Sequence, residues 1–315
     1  MTLTRIPALA ATLCATLCTL VLSTPATAQS RSAVEAERGQ VGKALSQGSF
    51  QGRPYGFYAP AGATSGAARP LLLVLHGTGG GYLGVATRTR FHEEAARHGF
   101  IVVYPDATPR DVRGKQRKQW DPYGRNVDDA GYIAALIADL KRRFRIDPDR
   151  VFATGMSNGA VMAQSLGCQV DAIAGVAPVA ASLSPRAYSA ICPSLSQPVP
   201  FLGFFGTVDR NGELAKFEKS VDLYARLNGC ATDYSRQALP DRDPRDNTTV
   251  ELRIAAGARG GACSVPIHYY RIAGGGHFWP GATYRPQALE KQGAASTKDI
   301  DATKIIVSFF GLDRR

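Results

Sequence analysis

The sequence predicts an α/β fold with a mostly parallel central sheet, because short apolar strands alternate with amphipathic helices along most of its 315 residues. Residues Arg69 to His76 (RPLLLVLH) form a continuous apolar run, which is typical of a strand buried on both faces. In Asp128 to Phe144, apolar residues recur with the helical period between Ile133 and Leu140. No linker or repeat interrupts this alternation, so a single catalytic domain is expected.

Short apolar runs bounded by Gly, Pro or Asp predict the other strands at Pro54–Pro60, Phe100–Tyr104, Val151–Thr154, Ile173–Val179, Val199–Phe205, Val250–Ala255 and Val265–Ile272. Helical periodicity predicts helices at Thr89–His98, from just after Ser157 to Cys168, at Glu213–Leu227 and at Ile300–Phe310. Asp147-Pro148-Asp149 is predicted to be a turn. The weakly patterned residues 29–47 are predicted to be a flexible lead-in to a domain spanning 48–315.

The first 28 residues have the features of a secretory signal peptide. Arg5 precedes an apolar run from Ala8 to Leu22, and Ala26-Thr27-Ala28 supplies a small-residue cleavage site. A membrane anchor is the alternative, but this run of 15 residues is shorter than the roughly 20 that a spanning helix needs. We therefore expect an exported protein, cleaved near Ala28 and without stable membrane insertion.

The formal net charge of +11 is the unusual number in a composition that is otherwise ordinary for a globular protein. Cleavage of the leader would remove only one charged side chain, Arg5, and the mature chain would keep a net charge of +10. A basic excess suggests nucleic acid, an anionic membrane surface or an acidic substrate as the partner. Export, and the lack of a basic and aromatic nucleic-acid-binding module, argue against nucleic acid.

Four cysteines follow the leader, and an even number in an exported chain suggests disulfides between Cys168, Cys192, Cys230 and Cys263. Three pairings are possible, of which neighbour with neighbour is the simplest, and buried free thiols are the alternative. Spacings of 24 and 33 residues without a C-x-x-C motif argue against zinc. Neither a metal nor an organic cofactor is expected.

The segment Gly155-Met156-Ser157-Asn158-Gly159 matches G-x-S-x-G where a predicted strand ends and a helix begins. In a nucleophile elbow this turn is so tight that glycines flank the serine, whose hydroxyl is exposed at the tip. Taken alone, the motif also fits a serine that merely caps the helix.

A general base and an acid are expected later in the chain. Of the five histidines, His277 is the one in a loop after a late strand, within GGGHFWPG. Asp209 follows another strand in GTVD, although a turn-forming aspartate would look the same. Because loops after parallel strands meet at one edge of the sheet, Ser157, Asp209 and His277 are predicted to form a catalytic triad.

The loop HGTGGG (residues 76–81) follows the buried strand and is the candidate oxyanion loop. The backbone N–H groups of Thr78 and Asn158 are the predicted donors to the oxyanion.

The same loop imitates a dinucleotide-binding fingerprint, since Gly79, Gly81 and Gly84 are followed by Asp106 just past the next strand. A dinucleotide-binding oxidoreductase would leave the predicted triad without a role. We therefore keep it only as an alternative.

Eight segments resemble, in order, the esterase family that holds extracellular polyhydroxybutyrate depolymerases and feruloyl esterases: LLLVLHGTGG, VDDAGYIAALI, DPDRVFATGMSNGAVMAQSLGC, IAGVAPVAA, FFGTVD, LNGC, YRIAGGGHFWPG and DIDATKIIVSFF. GMSNGA and GGGHFWPG are the most specific. The resemblance implies an α/β-hydrolase fold, with Ser157, Asp209 and His277 at the family's triad positions. It also implies disulfides near the rim of the active site, and some similar proteins hydrolyse poly(aspartic acid).

Only 19 residues separate Val179 from Val199, so no large cap domain fits between these two strands. An open groove is expected, which suits a polymeric or bulky ester substrate. Trp120 and Trp279 are candidate lining residues, with core packing as the alternative.

Basic residues cluster before Trp120, where a local charge of +4 arises from Arg110, Arg113, Lys115, Arg117 and Lys118 against Asp111. A solvated loop is one interpretation. The other is a rim that guides an anionic polymer such as poly(aspartic acid), whose amide bonds would then be cleaved. A feruloyl or other small-ester esterase and a catalytically inactive envelope binding protein are the alternative functions.

Overall fold

The computed structural model describes Thr2 and residues 31–257, 263–282 and 294–314. Its strands are β1 Ser46–Phe50, β2 Arg53–Tyr58, β3 Arg69–Leu75, β4 Ile101–Pro105, β5 Pro109–Asp111, β6 Gln116–Lys118, β7 Ile146–Met156, β8 Gly175–Val179, β9 Phe201–Gly206, β10 Cys230–Ala238, β11 Thr249–Gly257 and β12 Ile267–Ala273. Its helices are α1 Arg31–Ala44, α2 Tyr82–Thr89, α3 Phe91–His98, α4 Asp129–Arg143, α5 Asn158–Gln169, α6 Pro185–Ile191, α7 Leu214–Leu227 and α8 Ala302–Phe309. The predicted leader falls outside the described residues, apart from Thr2.

Ten of these strands form one sheet in the order β1-β2-β4-β3-β7-β8-β9-β12-β11-β10. The strands from β4 to β12 in that order run parallel, and the strands at both edges are antiparallel. The carboxyl ends of the parallel strands therefore share one edge, which we name the catalytic edge. The loops after β3, β7, β9 and β12 carry the predicted site residues to this edge.

Both faces of the sheet are covered by a hydrophobic core, as the apolar run at Arg69 to His76 predicts. Leu71 and Leu73 pack into one buried cluster, whereas Leu72 and Val74 pack into the other. Successive side chains of β3 thus enter opposite cores, which is why the strand contains no polar alternation. The predicted α/β-hydrolase architecture is confirmed, and the fully described connection from β8 to β9 contains α6 and no cap domain.

From residue 31 onward, the region predicted to be a flexible lead-in instead forms helix α1 and the start of β1, so that prediction is wrong for the described residues. Helix α1 docks on the domain through the buried Val41, and Leu45, directly after the helix, is also buried. An ion pair of 3.1 Å between Glu37 and Arg90 adds a polar contact. Gly39 and Gly42 obscure the helix in the sequence because glycine lowers helix propensity.

Other differences are local. The helix predicted at Thr89–His98 is α3 and begins only at Phe91, because Arg90 adopts a left-handed φ of 51° that ends the preceding helix, α2, at Thr89. The predicted turn at Asp147-Pro148-Asp149 lies within β7. Five further features were not predicted from the sequence because they are short or polar: β1, α2, the β5–β6 hairpin, α6 and β10.

Both neighbouring cysteine pairs are disulfide-bonded, Cys168 with Cys192 and Cys230 with Cys263. This is the simplest of the three pairings considered. In the described ranges, every helix is too short or too polar to span a bilayer.

Candidate active site

Ser157 stands at the sharp turn between β7 and α5. Its φ of 59° and ψ of −124° are values that residues with a side chain rarely adopt. The Ser157 N–H donates to the Val179 carbonyl at 2.9 Å, which ties the turn to β8. The Ser157 side chain makes no capping hydrogen bond to α5, which argues against the interpretation as a simple helix cap.

Glycine is required on both sides of Ser157 because the turn packs against the backbone of β3. A Cβ on Gly155 would lie 2.6 Å from the carbonyl carbon of Gly159, and a Cβ on Gly159 would lie 2.2 Å from the Leu75 oxygen. Real Cβ atoms do not come this close, so a side chain at either position would displace the elbow. The G-x-S-x-G pattern therefore reflects a steric requirement of this turn.

Asp209 and His277 are in direct contact at the catalytic edge. Asp209 Oδ2 lies 2.8 Å from His277 Nδ1, and the side chain of Asp209 is 0% exposed against 11% for His277. Asp209 Oδ1 accepts from the Asn211 N–H at 2.8 Å, which fixes the carboxylate. Because a carboxylate only accepts, His277 Nδ1 carries the proton and Nε2 retains a lone pair.

Within the described ranges, the Ser157 hydroxyl has no hydrogen-bond partner, so the structure joins His277 to Asp209 but not to Ser157. In free enzymes the bond between nucleophile and base is often long and tightens only when substrate binds.

The loops that carry Asp209 and His277 are tied to each other. The Val208 N–H donates to the Gly275 carbonyl at 3.0 Å. A Cβ on Gly206 would lie 2.2 Å from the Gly275 oxygen, so the close approach of the two loops requires glycine there.

The glycine-rich loop after β3 lies directly against Ser157. A Cβ on Gly77 would be 3.3 Å from the Cβ of Ser157. Within the described part of the chain, neither the Thr78 N–H nor the Asn158 N–H donates a hydrogen bond. Both groups can therefore donate to a substrate oxygen.

His76 shapes this loop as a neutral side chain. Its Nδ1 donates to the Gly77 carbonyl at 2.8 Å, and its Nε2 accepts from the Ala107 N–H at 3.0 Å. Burial lowers the pKa of His76, so its 3.8 Å approach to Asp106 is not an ion pair. Both ring nitrogens are engaged, which leaves His76 no role as a general base.

The two tryptophans predicted to line the groove are buried, and that prediction is wrong. Trp120 is 0% exposed, and its indole N–H donates to the His76 carbonyl at 3.0 Å. Trp279 packs edge-on against Phe91 and donates to the Thr303 hydroxyl at 3.0 Å. A protein partner for each indole N–H makes full burial favourable.

The basic cluster folds as the β5–β6 hairpin, and two of its five cations are neutralised internally. Arg110 pairs with Asp121 at 3.1 Å, and Lys118 forms an ion pair with the buried Asp106. These two residues therefore hold the hairpin to the domain through internal ion pairs, and their role in substrate binding stays a prediction.

The other three cations, Arg113, Lys115 and Arg117, are exposed, and none has a carboxylate partner among the described residues. The side chain of Arg117, in β6, packs against the oxyanion loop, since a Cβ on Gly79 would be 3.6 Å from a guanidinium nitrogen of Arg117. Of these three, Arg117 is thus beside the loop that contacts Ser157.

The dinucleotide-binding alternative does not fit this geometry. Helix α2 begins at Tyr82, whose N–H donates to Asp106 Oδ1 at 2.5 Å. A pyrophosphate would need this helix N-terminus, and a ribose would need a free carboxylate. Asp106 is instead 1% exposed and bound by Lys118.

Val208 is a residue of this edge that the sequence analysis missed. Among the described residues, it is the one large hydrophobic side chain that is exposed, at 46%. Its position in the sequence, an apolar residue between the end of a strand and the candidate acid, could have predicted its exposure at this edge.

Comparison with known proteins agrees with this geometry. The model of the family described as "Esterase PHB depolymerase" matches residues 53–194. NocK of Nocardia uniformis subsp. tsuyamanensis, which carries the name of an esterase, is 28% identical over 75% of this chain and 74% of that protein. Feruloyl esterase B of Piromyces equi is 26% identical over 69% of this chain, which spans only 41% of that protein.

The fold is also that of a solved esterase. The acetyl xylan esterase from Aspergillus awamori matches with a TM-score of 0.57 at 15% identity, over 85% of this chain and 99% of that one. At this identity the likeness concerns the fold alone. The chain is thus similar in sequence to esterases of the PHB depolymerase family, and its fold is that of the α/β-hydrolases.

Proposed function

We propose that the protein is a secreted serine hydrolase in which Ser157 is the nucleophile, His277 the general base and Asp209 the group that orients it. The observation that carries this proposal is the 2.8 Å contact of Asp209 with His277 at the edge where Ser157 occupies its strained turn. The buried carboxylate holds the imidazole in the tautomer that can accept a proton at Nε2.

In the proposed reaction, Ser157 Oγ attacks the acyl carbon while His277 Nε2 takes the hydroxyl proton. The tetrahedral intermediate collapses, the leaving group departs with the proton from Nε2, and an acyl-enzyme remains. Water then attacks the acyl-enzyme with His277 again as base, which releases the acid and restores Ser157.

The N–H groups of Thr78 and Asn158 are proposed to stabilise the oxyanion. Thr78 lies in the loop against Ser157, and Asn158 begins α5, whose N-terminal dipole favours negative charge. Such a donor typically contributes about 2.7–4 kcal/mol to transition-state stability.

The proposed substrate is an oligomer or polymer with ester or ester-like bonds. A single short helix, α6, connects β8 and β9, so no cap domain from this connection covers the edge. Arg117 beside the oxyanion loop, with Arg113 and Lys115 exposed on the same hairpin, favours an anionic polymer such as poly(aspartic acid). Two disulfides are consistent with the proposed export, because oxidising compartments preserve them.

The test is hydrolysis of hydroxybutyrate oligomers, feruloyl esters and poly(aspartate) by the mature protein and its Ser157→Ala variant. We expect Ser157→Ala to abolish turnover and fluorophosphonate labelling, and Asp209→Asn to lower kcat about 10⁴-fold. Ser308→Ala, on the exposed face of α8, is the matched control. Wild-type hydrolysis by the Ser157→Ala variant would overturn the assignment.

The same panel separates the alternatives. Preference for feruloyl esters would indicate a small-ester esterase, and failure of fluorophosphonate to label wild-type protein would indicate a binding protein without catalysis.

A further inference from the structure

His277 is the central residue of a very tight turn. The Phe278 N–H donates to the Gly276 carbonyl at 2.9 Å, so only one residue lies between the bonded groups, which is the pattern of a γ-turn. A turn of three residues is too short to hold its central side chain by contacts of its own. For His277 to meet Asp209, the segments that enter and leave the turn must therefore hold it in place.

The segment that enters the turn is held by hydrogen bonds of its backbone. The Gly276 N–H donates to the Ala295 carbonyl at 2.9 Å, and the Gly274 N–H donates to the Thr207 hydroxyl at 3.1 Å. Thr207 directly follows β9 and precedes Asp209 by two residues. The entry to the turn is thus fixed against the strand end that carries the candidate acid.

The segment that leaves the turn is held by helix α8. The Ala302 N–H donates to the Pro280 carbonyl at 3.1 Å, and the indole N–H of Trp279 donates to the Thr303 hydroxyl at 3.0 Å. Trp279 is 1% exposed, so its ring is enclosed by the core. Because Trp279 is only two residues from His277, a shift of its ring would also shift the turn.

The Thr303 hydroxyl both accepts and donates a hydrogen bond. Its oxygen accepts from Trp279, and its hydrogen goes to the Thr89 carbonyl, with 2.7 Å between the two oxygens. Thr89 is the last residue of α2, where a helix leaves carbonyls without partners inside it. All three residues are buried, so water does not compete for either bond.

These two bonds connect two parts of the catalytic edge. Helix α2 begins at Tyr82, directly after the oxyanion loop of residues 76–81. One end of the connection is therefore the helix that continues the oxyanion loop, and the other end is the turn that carries His277. Thr303 lies between them, on a third element of the chain.

We propose that Thr303 is a positioning residue for the general base. Through Trp279 it fixes the His277 turn relative to α2 and so to the oxyanion loop. The inference rests on the proposed function, in which His277 takes the proton of Ser157. Removing the hydroxyl displaces the base, so it should lower kcat and kcat/KM together and leave KM nearly unchanged.

The test compares three variants in steady-state hydrolysis of a neutral ester. Thr303→Val removes the hydroxyl with almost no change of shape, and Thr303→Ser keeps it. Thr87→Val is the matched control, because Thr87 is also buried and its hydroxyl donates to the Leu83 carbonyl of its own helix at 2.8 Å. We expect Thr303→Val to lower kcat about tenfold, whereas Thr303→Ser and Thr87→Val stay within about twofold of the wild type.

A double-mutant cycle with Trp279→Phe separates positioning from a general loss of stability. Trp279→Phe removes the indole N–H and so breaks the same hydrogen bond from its other end. Effects that pass through one bond do not add, so Thr303→Val should change kcat less than about twofold in the Trp279→Phe background. Additive effects would overturn the proposal, as would a wild-type kcat in Thr303→Val or an equal loss in Thr87→Val. If Thr303→Val does not fold, a wild-type kcat in Trp279→Phe overturns the proposal, and a loss of about tenfold supports it.

Hydrogen exchange of the His277 Nδ1–H, followed by NMR, distinguishes a failure of this proposal from a failure of the proposed function. This proton lies in the contact with Asp209, so it exchanges faster when the turn is displaced, whether or not the protein is an enzyme. If wild-type protein does not hydrolyse the ester but Thr303→Val speeds the exchange, the proposed function fails and the positioning role stands. If wild-type protein is active but Thr303→Val changes neither kcat nor the exchange, the positioning role fails and the triad stands.

Discussion

The side chain of Asn158 pairs with both backbone groups of Trp120. Asn158 Oδ1 accepts from the Trp120 N–H at 2.7 Å, and Nδ2 donates to the Trp120 carbonyl at 3.1 Å. Since the indole of Trp120 also donates to the His76 carbonyl, one buried residue links the elbow to the oxyanion loop. This arrangement fixes the distance between the two proposed oxyanion donors.

Asn158→Ala should therefore impair catalysis while leaving the Asn158 N–H in place. We expect kcat for a neutral ester to fall up to about 10²-fold, because small displacements of reacting groups are costly. Loss of the buried partners should also lower the free energy of unfolding by about 1–3 kcal/mol. Steady-state kinetics and urea unfolding measure both effects, and unchanged kcat would show that the pairing does not position the site.

The exposed cations of the hairpin should matter for an anionic substrate and not for a neutral one. The KM for oligo(aspartate) should rise with ionic strength, because salt screens exposed charges. Arg117→Glu should raise that KM about fivefold at low salt and reduce its salt dependence.

Lys219→Glu, which makes the same charge change on the exposed surface of α7, is the control for this prediction. A KM that does not respond to salt in the wild-type enzyme would remove the electrostatic role of the hairpin.

The disulfides should stabilise the protein by lowering the conformational entropy of its unfolded state. The cross-links close loops over 24 and 33 residues of separation, and their Cα–Cα distances of 5.1 Å suit disulfide geometry. Replacing Cys168 and Cys192 together by Ala should lower the free energy of unfolding by about 3 kcal/mol. Chemical denaturation measures this loss, and four titratable thiols in the native, unreduced protein would contradict both bonds.

Stability should decline in acid because of buried histidines. Burial lowers the pKa of His76, His92 and His268. As the pH falls through about 6.5, the unfolded chain binds protons that the folded state does not, so unfolding becomes easier. His268→Phe removes one such group from β12, where its ring packs against Phe309.

We expect the fall in Tm on acidification to be smaller in His268→Phe than in the wild type. An identical pH profile of Tm in the two proteins would contradict the contribution of His268.

Much of the catalytic edge could be predicted from local sequence. The glycines around Ser157 are required by the sterics of a single turn. The apolar run of β3 is required because this strand is buried on both faces of the sheet. Loop positions after strands placed Asp209 and His277 at the same edge, where they are in contact.

The sequence by itself determined the six parallel strands in chain order, the elbow and the contact partners Asp209 and His277. Only the tertiary structure decided that both tryptophans are buried, that Lys118 is neutralised by Asp106 and that Thr303 joins Trp279 to α2. The spacing of apolar residues along the chain shows which face of a helix or strand is buried, but the sequence of a loop has no such periodic pattern. Its burial and charge depend on residues that folding brings to it from distant segments.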